Sequence, residues 1–256
     1  MPDLVLVRPD EGVTSVQLNR PGSRNALDLP LLEELLARLT AVCLDNTTHV
    51  LILHGAGDGF CAGADLSLIA GVASTTDPVA AFNPACETFQ KVIHLLATSP
   101  KVTVAALHGF ALGAGLDLAL ACDLRLAAAG TQLACSYVRY GLVPDGGATW
   151  ALPRLIGLGP AMAMLLSGDP VDTEGAYRLG LIHRRVANGR HLEEAQHWAA
   201  DLSQRSRAAQ AAIKRLARVD PRLTLSAALK EEREAQRRLL ADREPFRYLS
   251  SKPAEH

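Results

Sequence analysis

The chain lacks a charge surplus, a long apolar run and a paired set of cysteines. Lys plus Arg total 26 against 27 Asp plus Glu, a net charge of −1. That balance argues against a dedicated nucleic-acid binder, which needs a basic face for phosphates. It leaves room for a local basic spot that takes one phosphorylated ligand. The five cysteines, Cys43, Cys61, Cys86, Cys122 and Cys135, are odd in number and form no CxxC pair. A disulfide framework or a structural zinc site is therefore not expected, and a reducing cytoplasm is. No His, Asp or Glu grouping has metal-ligand spacing, so no metal is expected. The segment Met1–Arg8 carries Asp3 and no basic stretch before an apolar run, which does not read as a signal peptide. No stretch approaches about 18 uncharged apolar residues, so no membrane span is expected. The most apolar segment, Val102–Ala121, is broken by His108, three glycines and Asp117. There is no internal repeat and no low-complexity segment.

What remains is a globular composition, 48% hydrophobic and 21% charged, with mean hydropathy +0.11. A length of 256 residues suits one large domain and can bury a core without staples. Leu4–Val7 and Val13–Leu18 flank the turn at Asp10–Gly12 and read as a hairpin. Leu29–Leu44 has apolar residues at helical spacing, with Glu33, Glu34 and Arg38 opposite. Val50–Leu53, Val102–Leu107 and Leu124–Ala127 read as buried strands, and Val79–Leu96 and Leu116–Ala121 as helices. This rhythm predicts an α/β fold with a parallel sheet covered by helices. After Leu152 only Leu181–Val186 reads as strand. Helices are expected over His191–Arg205, Ala208–Arg218 and Leu223–Leu240, the last with a solvated charged face. The division drawn from this is an α/β core over 1–190 and a helical region over 191–256.

Two segments follow buried strands directly and are rich in small residues. Gly57–Leu66 precedes a helix that Asp65 can cap. His108–Asp117 also opens a helix, and its spacing does not match the dinucleotide pattern G-x-G-x-x-G. Small residues let backbone N–H groups approach a ligand, and two convergent N–H donors make an oxyanion hole. A third segment, Tyr140–Gly147, places Asp145 in a Pro-Asp-Gly turn.

The stretches Asn19-Arg20-Pro21, Asn25-Ala26-Leu27 and Phe60–Leu66 resemble the crotonase (enoyl-CoA hydratase/isomerase) superfamily. The match continues through Gly109, Gly113-Ala114-Gly115, Ala121-Cys122-Asp123, Gly141–Asp145 and Leu152–Gly157, in order from about residue 5 to 200. The resemblance implies a spiral of ββα units, with a C-terminal helical region that builds a homotrimer or a dimer of trimers. It implies an acyl-CoA thioester as partner, with coenzyme A as part of the substrate and no separate cofactor. The N–H groups of Ala64 and Ala114 would hold the thioester oxygen of an enolate. Arg24, Ala26, Ala62, Asp65 and Leu66 would lie along the coenzyme A portion. A Lys common near Ser67 in the family is missing here, and the tail Pro245–His256 lacks the longer family ending.

Hydratases of the family use two glutamates. At those places this chain has Asp117 and Tyr137. A phenol of pKa near 10 is a poor base at neutral pH. Some family isomerases, and an aryl-CoA dehalogenase, use an Asp where this chain has Asp145. The expected function is hydratase/isomerase chemistry on an enoyl-CoA, with Asp117, Asp145 and Tyr137 at the reacting carbons. The alternatives are a Δ3,Δ2-enoyl-CoA isomerase or specialised acyl-CoA lyase, and a CoA-binding homologue without catalysis. Cys61 has no His placed to activate it as a nucleophile. Asp123, His54 and His108 are expected to serve structure.

Overall fold

A computed structural model describes residues 3–218 and 224–250. Met1, Pro2, Leu223 and the tail from Ser251 to His256 lie outside the described residues. The element order is β1 (Val5–Asp10), β2 (Val13–Leu18), α1 (Leu29–Leu44), β3 (Val50–Gly55), α2 (Leu66–Ala73), α3 (Pro78–Thr98), β4 (Val102–Leu107), β5 (Phe110–Leu112), α4 (Ala114–Ala121), β6 (Leu124–Ala128) and β7 (Gln132–Ala134). Then come a 3-10 turn over Ser136–Tyr140, α5 (Ala148–Ile156), α6 (Leu158–Ser167), β8 (Val171–Asp172), α7 (Thr173–Arg178), β9 (Arg184–Val186), α8 (His191–Ser203), α9 (Arg207–Ala217), α10 (Leu225–Ala241) and α11 (Glu244–Ser250).

The main sheet has strand order β1-β2-β3-β4-β6-β9. The β1–β2 hairpin is antiparallel, and every later pairing in this sheet is parallel. Alternation along the strands splits the core in two. Leu51, Leu53, Ala105 and Leu107 face α1 and α3 in the larger cluster. Val50, Ile52, Val104 and Ala106 face Ala195 and Ala199 of α8 in the smaller one. The first helix of the C-terminal region thus closes the second face of the sheet.

Helix α1 starts where the Asp28 carboxylate accepts the Leu31 N–H, with Pro30 in the first turn. Its buried residues Leu31, Leu35, Leu39 and Val42 recur at helical spacing. Each such buried side chain contributes roughly 2 kcal/mol of hydrophobic stabilisation. Asp123 has the structural part expected. It accepts from Thr103 N and Oγ1 and pairs with Lys214 and Arg218, which fastens α9 to the core. The buried Arg125 guanidinium donates to the carbonyls of Leu181 and Cys122, which holds the chain leading into β9. That chain is strand only from Arg184.

A second, three-stranded sheet of order β5-β7-β8 was not legible in the sequence. Its strands have two or three residues each, too short for a periodic signal. It matters because β5 lies beside the loop that follows β3. The N–H groups of Phe60 and Cys61 donate to the Phe110 carbonyl, and Leu112 N–H donates to the Cys61 carbonyl.

Asn25 holds the same loop from below. It is fully buried, with φ +54°, a conformation asparagine tolerates better than most residues. Its two amide protons are shared among the carbonyls of Ala56, Gly59 and Phe60 at 2.8, 2.9 and 3.2 Å. Asn25→Ala leaves these carbonyls without that donor. It should lower stability by about 2–3 kcal/mol in urea unfolding. A midpoint equal to wild type would contradict this role.

His54, His108 and His191 meet where β3 and β4 end and α8 begins. The rings of His108 and His191 stack at 4.0 Å, and His108 Nε2 lies 2.9 Å from the Gly57 carbonyl oxygen. None of the three Nδ1 atoms has a hydrogen-bond partner among the described residues. Burial pushes His54 and His191 down to about 4. His108 adds to this for both, with Arg8 also acting on His54 and His54 on His191. The unfolded chain takes these protons near 6.5, before the folded one does. Their contribution is therefore present above 6.5 and is lost as pH falls from 6.5 towards 4. The thermal midpoint should drop through that window, and less steeply in His54→Gln. Identical slopes in the two proteins would contradict the assignment.

Candidate active site

The loops after β3 and β4 run side by side. Cys61 pairs with Ala111 as a parallel bridge. Three residues further along each loop stand Ala64 and Ala114. The approach is close: a side chain on Gly63 would lie 2.6 Å from the Leu112 carbonyl oxygen and 3.4 Å from Ala114 N. Gly63 also has φ +97°, so only glycine fits there without strain.

The amide of Ala64 is turned outward by its neighbour. Leu27 N–H donates to the Gly63 carbonyl, and Asp65 N–H donates to the Leu27 carbonyl. This parallel pairing engages the residues on either side of Ala64 and leaves its own N–H facing the other way. Ala114 is the first residue of α4, behind Gly113, which has no capping side chain. Its N–H precedes the helix's own hydrogen-bond ladder and lies at the positive end of the helix. Two amides on two different elements are thus brought together beside one small-residue seam.

Of the residues expected along coenzyme A, Ala26, Ala62 and Leu66 flank this seam, with Leu66 58% exposed at the start of α2. Ala62 N–H donates to the Arg24 carbonyl. The Arg24 guanidinium sits 4.2 Å over the Phe110 ring and is solvent-exposed. The Asp65 carboxylate is already engaged. It caps α2 through Ser67 N–H and pairs with Arg20, which also binds Asp28 and the Ala26 carbonyl. These bonds hold its pKa below the usual carboxylate range, with the Ser67 hydroxyl the largest cause.

Asp117 lies one turn into α4, fully buried. The Tyr137 hydroxyl, from the 3-10 turn, hydrogen-bonds to Asp117 Oδ2 and lies 3.2 Å from Asp145 Oδ1. The phenol oxygen therefore stands between the two carboxylates. A side chain on Gly113 would meet Ser136 Oγ at 3.2 Å and the Tyr137 ring at 3.9 Å, so this ring lies beside the Ala114 amide. Asp145 is held by its own loop. Gly146 lets that loop press within reach of the Asp117 Cβ and the Phe89 ring, and Gln90 Nε2 donates to the Asp145 carbonyl.

Burial raises the Asp117 carboxyl to about 7. The charge of Asp145 adds to this, and the hydrogen bond from Tyr137 opposes it. Asp117 Oδ1 is buried without a hydrogen-bond partner among the described residues, while the backbone amides of Ala148 and Gly146 favour its charged form. Burial, then the two carboxylates, push Tyr137 far above the ordinary phenol value. Tyr137 is thus a fixed proton donor at neutral pH. The Cys61 thiol is buried, donates to the Asn25 carbonyl and is pushed up to about 12, which removes it as a nucleophile. Among the described residues no group of three or more His, Cys, Asp or Glu is placed to hold a metal ion.

Sequence reasoning missed Asn25 and Arg20 as organisers, although both stand in the motif that carried the resemblance. It also missed Phe89 and Gln90, which no local pattern marks. It paired Asp117 with Asp145 and gave Tyr137 no link to either; the structure places the Tyr137 hydroxyl between the two carboxylates.

Residues 8–246 match the family model described as enoyl-CoA hydratase/isomerase. The chain is 33% identical over 238 residues to 1,2-epoxyphenylacetyl-CoA isomerase of Escherichia coli, covering 93% of this chain and 90% of that protein. It is 36% identical over 200 residues to the mouse mitochondrial enoyl-CoA hydratase domain-containing protein 2. That match spans 78% of this chain and 66% of the relative, just under two thirds of its length. A solved enoyl-CoA hydratase from Polaromonas sp. JS666 superposes with TM-score 0.88 at 30% identity, covering 92% of this chain and 91% of that one. The α/β core with its helical C-terminal region therefore has the crotonase-like fold, and the chain belongs to the enoyl-CoA hydratase/isomerase family.

Proposed function

We propose that this chain moves a double bond in an acyl-CoA thioester through an enolate, as an isomerase rather than a hydratase. The amides of Ala64 and Ala114 hold the thioester oxygen. Charge collects on that oxygen when a proton leaves the acyl chain, and each preorganised donor in a dry site is worth roughly 3–4 kcal/mol. Asp145 takes the proton from one carbon and returns it to another. Its carboxylate is the more accessible of the two, while Asp117 is fully buried behind the phenol. Proton transfer of this kind uses coenzyme A only as the handle of the substrate and asks for no separate cofactor.

The observation that carries this reading is the Tyr137 phenol between the two carboxylates. Hydration needs a water held and activated by two carboxylates, and the phenol oxygen takes the place such a water would occupy. Tyr137 orients Asp145, and Asp117, with its pKa near neutrality, anchors the phenol. The Escherichia coli relative is named an isomerase of an epoxy-acyl-CoA, a rearrangement that adds no water but is not itself a double-bond shift. The helical region and the exposed side chains of Val138, Trp150, Leu158 and Leu166 supply an apolar face for assembly with further copies of the chain, in a trimer or a dimer of trimers.

Asp145→Asn should lower kcat on a 3-enoyl-CoA by a factor of about 10²–10⁴ while thioester binding is retained. Tyr137→Phe, which keeps the ring and loses the bridge, should cost about tenfold. Steady-state kinetics with a parallel binding titration checks both. Full turnover by Asp145→Asn would contradict the assignment.

A further inference from the structure

The paired amides lie past the C-terminal ends of β3 and β4. At the opposite ends of the same strands is a separate cavity of about 630 Å³. Lys101, which immediately precedes β4, forms its floor. The α8–α9 junction and α11 form its walls. Each of the two strands has six residues, so about 20 Å separates this cavity from the thioester site.

The cavity is lined by four cations, Lys101, Arg205, Arg207 and Arg247, and one carboxylate, Glu244. Glu244 is already engaged by the Ser206 hydroxyl and by Arg247. Lys101 is 4% exposed, and its Nζ donates to the backbone carbonyls of Asp45 and Thr48 at 2.6 and 2.8 Å. The nearby Asp45 carboxylate is taken up by the hydroxyls of Thr47 and Thr48. Arg207 donates to the Asn46 carbonyl, and neither it nor Arg205 pairs with a carboxylate among the described residues. Burial, and then the charge of Arg207, lower the pKa of Lys101, and the nearby Asp45 carboxylate opposes them.

Helix α9, eleven residues long, begins at this cavity. Its cap residue Ser206 satisfies Ala209 N–H, while Arg207 and Ala208 line the cavity in the turn whose N–H groups have no helical acceptor. Guanidinium groups without a carboxylate partner and a helix start, lining one cavity beside a buried ammonium, are the groups that recognise a phosphate. We propose that this cavity binds a phosphorylated small molecule at a site distinct from the thioester site. The phosphate belongs either to a free phosphorylated compound or to the nucleotide end of coenzyme A.

Isothermal titration of the full chain with inorganic pyrophosphate, against chloride at matched ionic strength, tests this. Saturable binding is expected, weakened at least tenfold in the double variant Arg205→Gln, Arg207→Gln. These side chains lie outside the proposed catalytic group, so kcat at saturating acyl-CoA and the thermal midpoint of the variant should be unchanged, which reports that it is folded. KM for acyl-CoA stays the same if the phosphate belongs to a free compound and rises if it belongs to coenzyme A. Adding coenzyme A to the pyrophosphate complex separates the sources. Displacement identifies the nucleotide end of coenzyme A, and retention identifies a free phosphorylated compound. No saturable heat beyond the chloride control, or equal affinity in the two proteins, would overturn the proposal.

Discussion

Cys61 uses its N–H and its carbonyl to pair with the backbone on either side of Ala111, and that pairing sets the register of two loops from neighbouring strands. Ala64 and Ala114 then fall at the same offset on adjacent backbones. A slip of one residue in either loop would break this shared offset. The register is fixed from three directions. Asn25 ties down the first loop by three carbonyls, β5 flanks it, and Leu27 brackets Ala64. The parallel sheet beneath is buried on both faces, so the strand ends that launch the two loops have little freedom.

The second constraint is electrostatic. Two carboxylates approach each other at the edge of a dry core, and the arrangement is tolerable because a phenol stands between them. A single phenolic proton cannot fully satisfy both oxygens. The shortage is met by Asp117 holding its own proton up to about neutral pH, which its complete burial favours. Asp145 lies on a glycine-rich loop at the margin and is only partly buried. Two chemically similar side chains thus stand in different environments.

Much of the fold was legible in the sequence because long buried segments carry strong periodic signals. Leu29–Leu44 and Val102–Leu107 have the bounds read from apolar spacing. The three-stranded sheet was not legible, since Phe110–Leu112, Gln132–Ala134 and Val171–Asp172 are held by long-range pairing rather than by local preference. The candidate site divides in the same way. Ala64 and Ala114 stand out through the small residues around them. The link from Asp117 to Asp145 through Tyr137 spans 28 residues of chain and depends on where a 3-10 turn lands against α4, which no local pattern encodes.

The account is tested most directly by mass spectrometry of the purified protein after incubation with 2-enoyl-CoA and 3-enoyl-CoA thioesters. Conversion of the 3-enoyl substrate at unchanged mass, with the absorbance of a conjugated enoyl thioester appearing, is the result predicted. Rapid formation from the 2-enoyl substrate of a product heavier by one water, with the 3-enoyl substrate untouched, would contradict it.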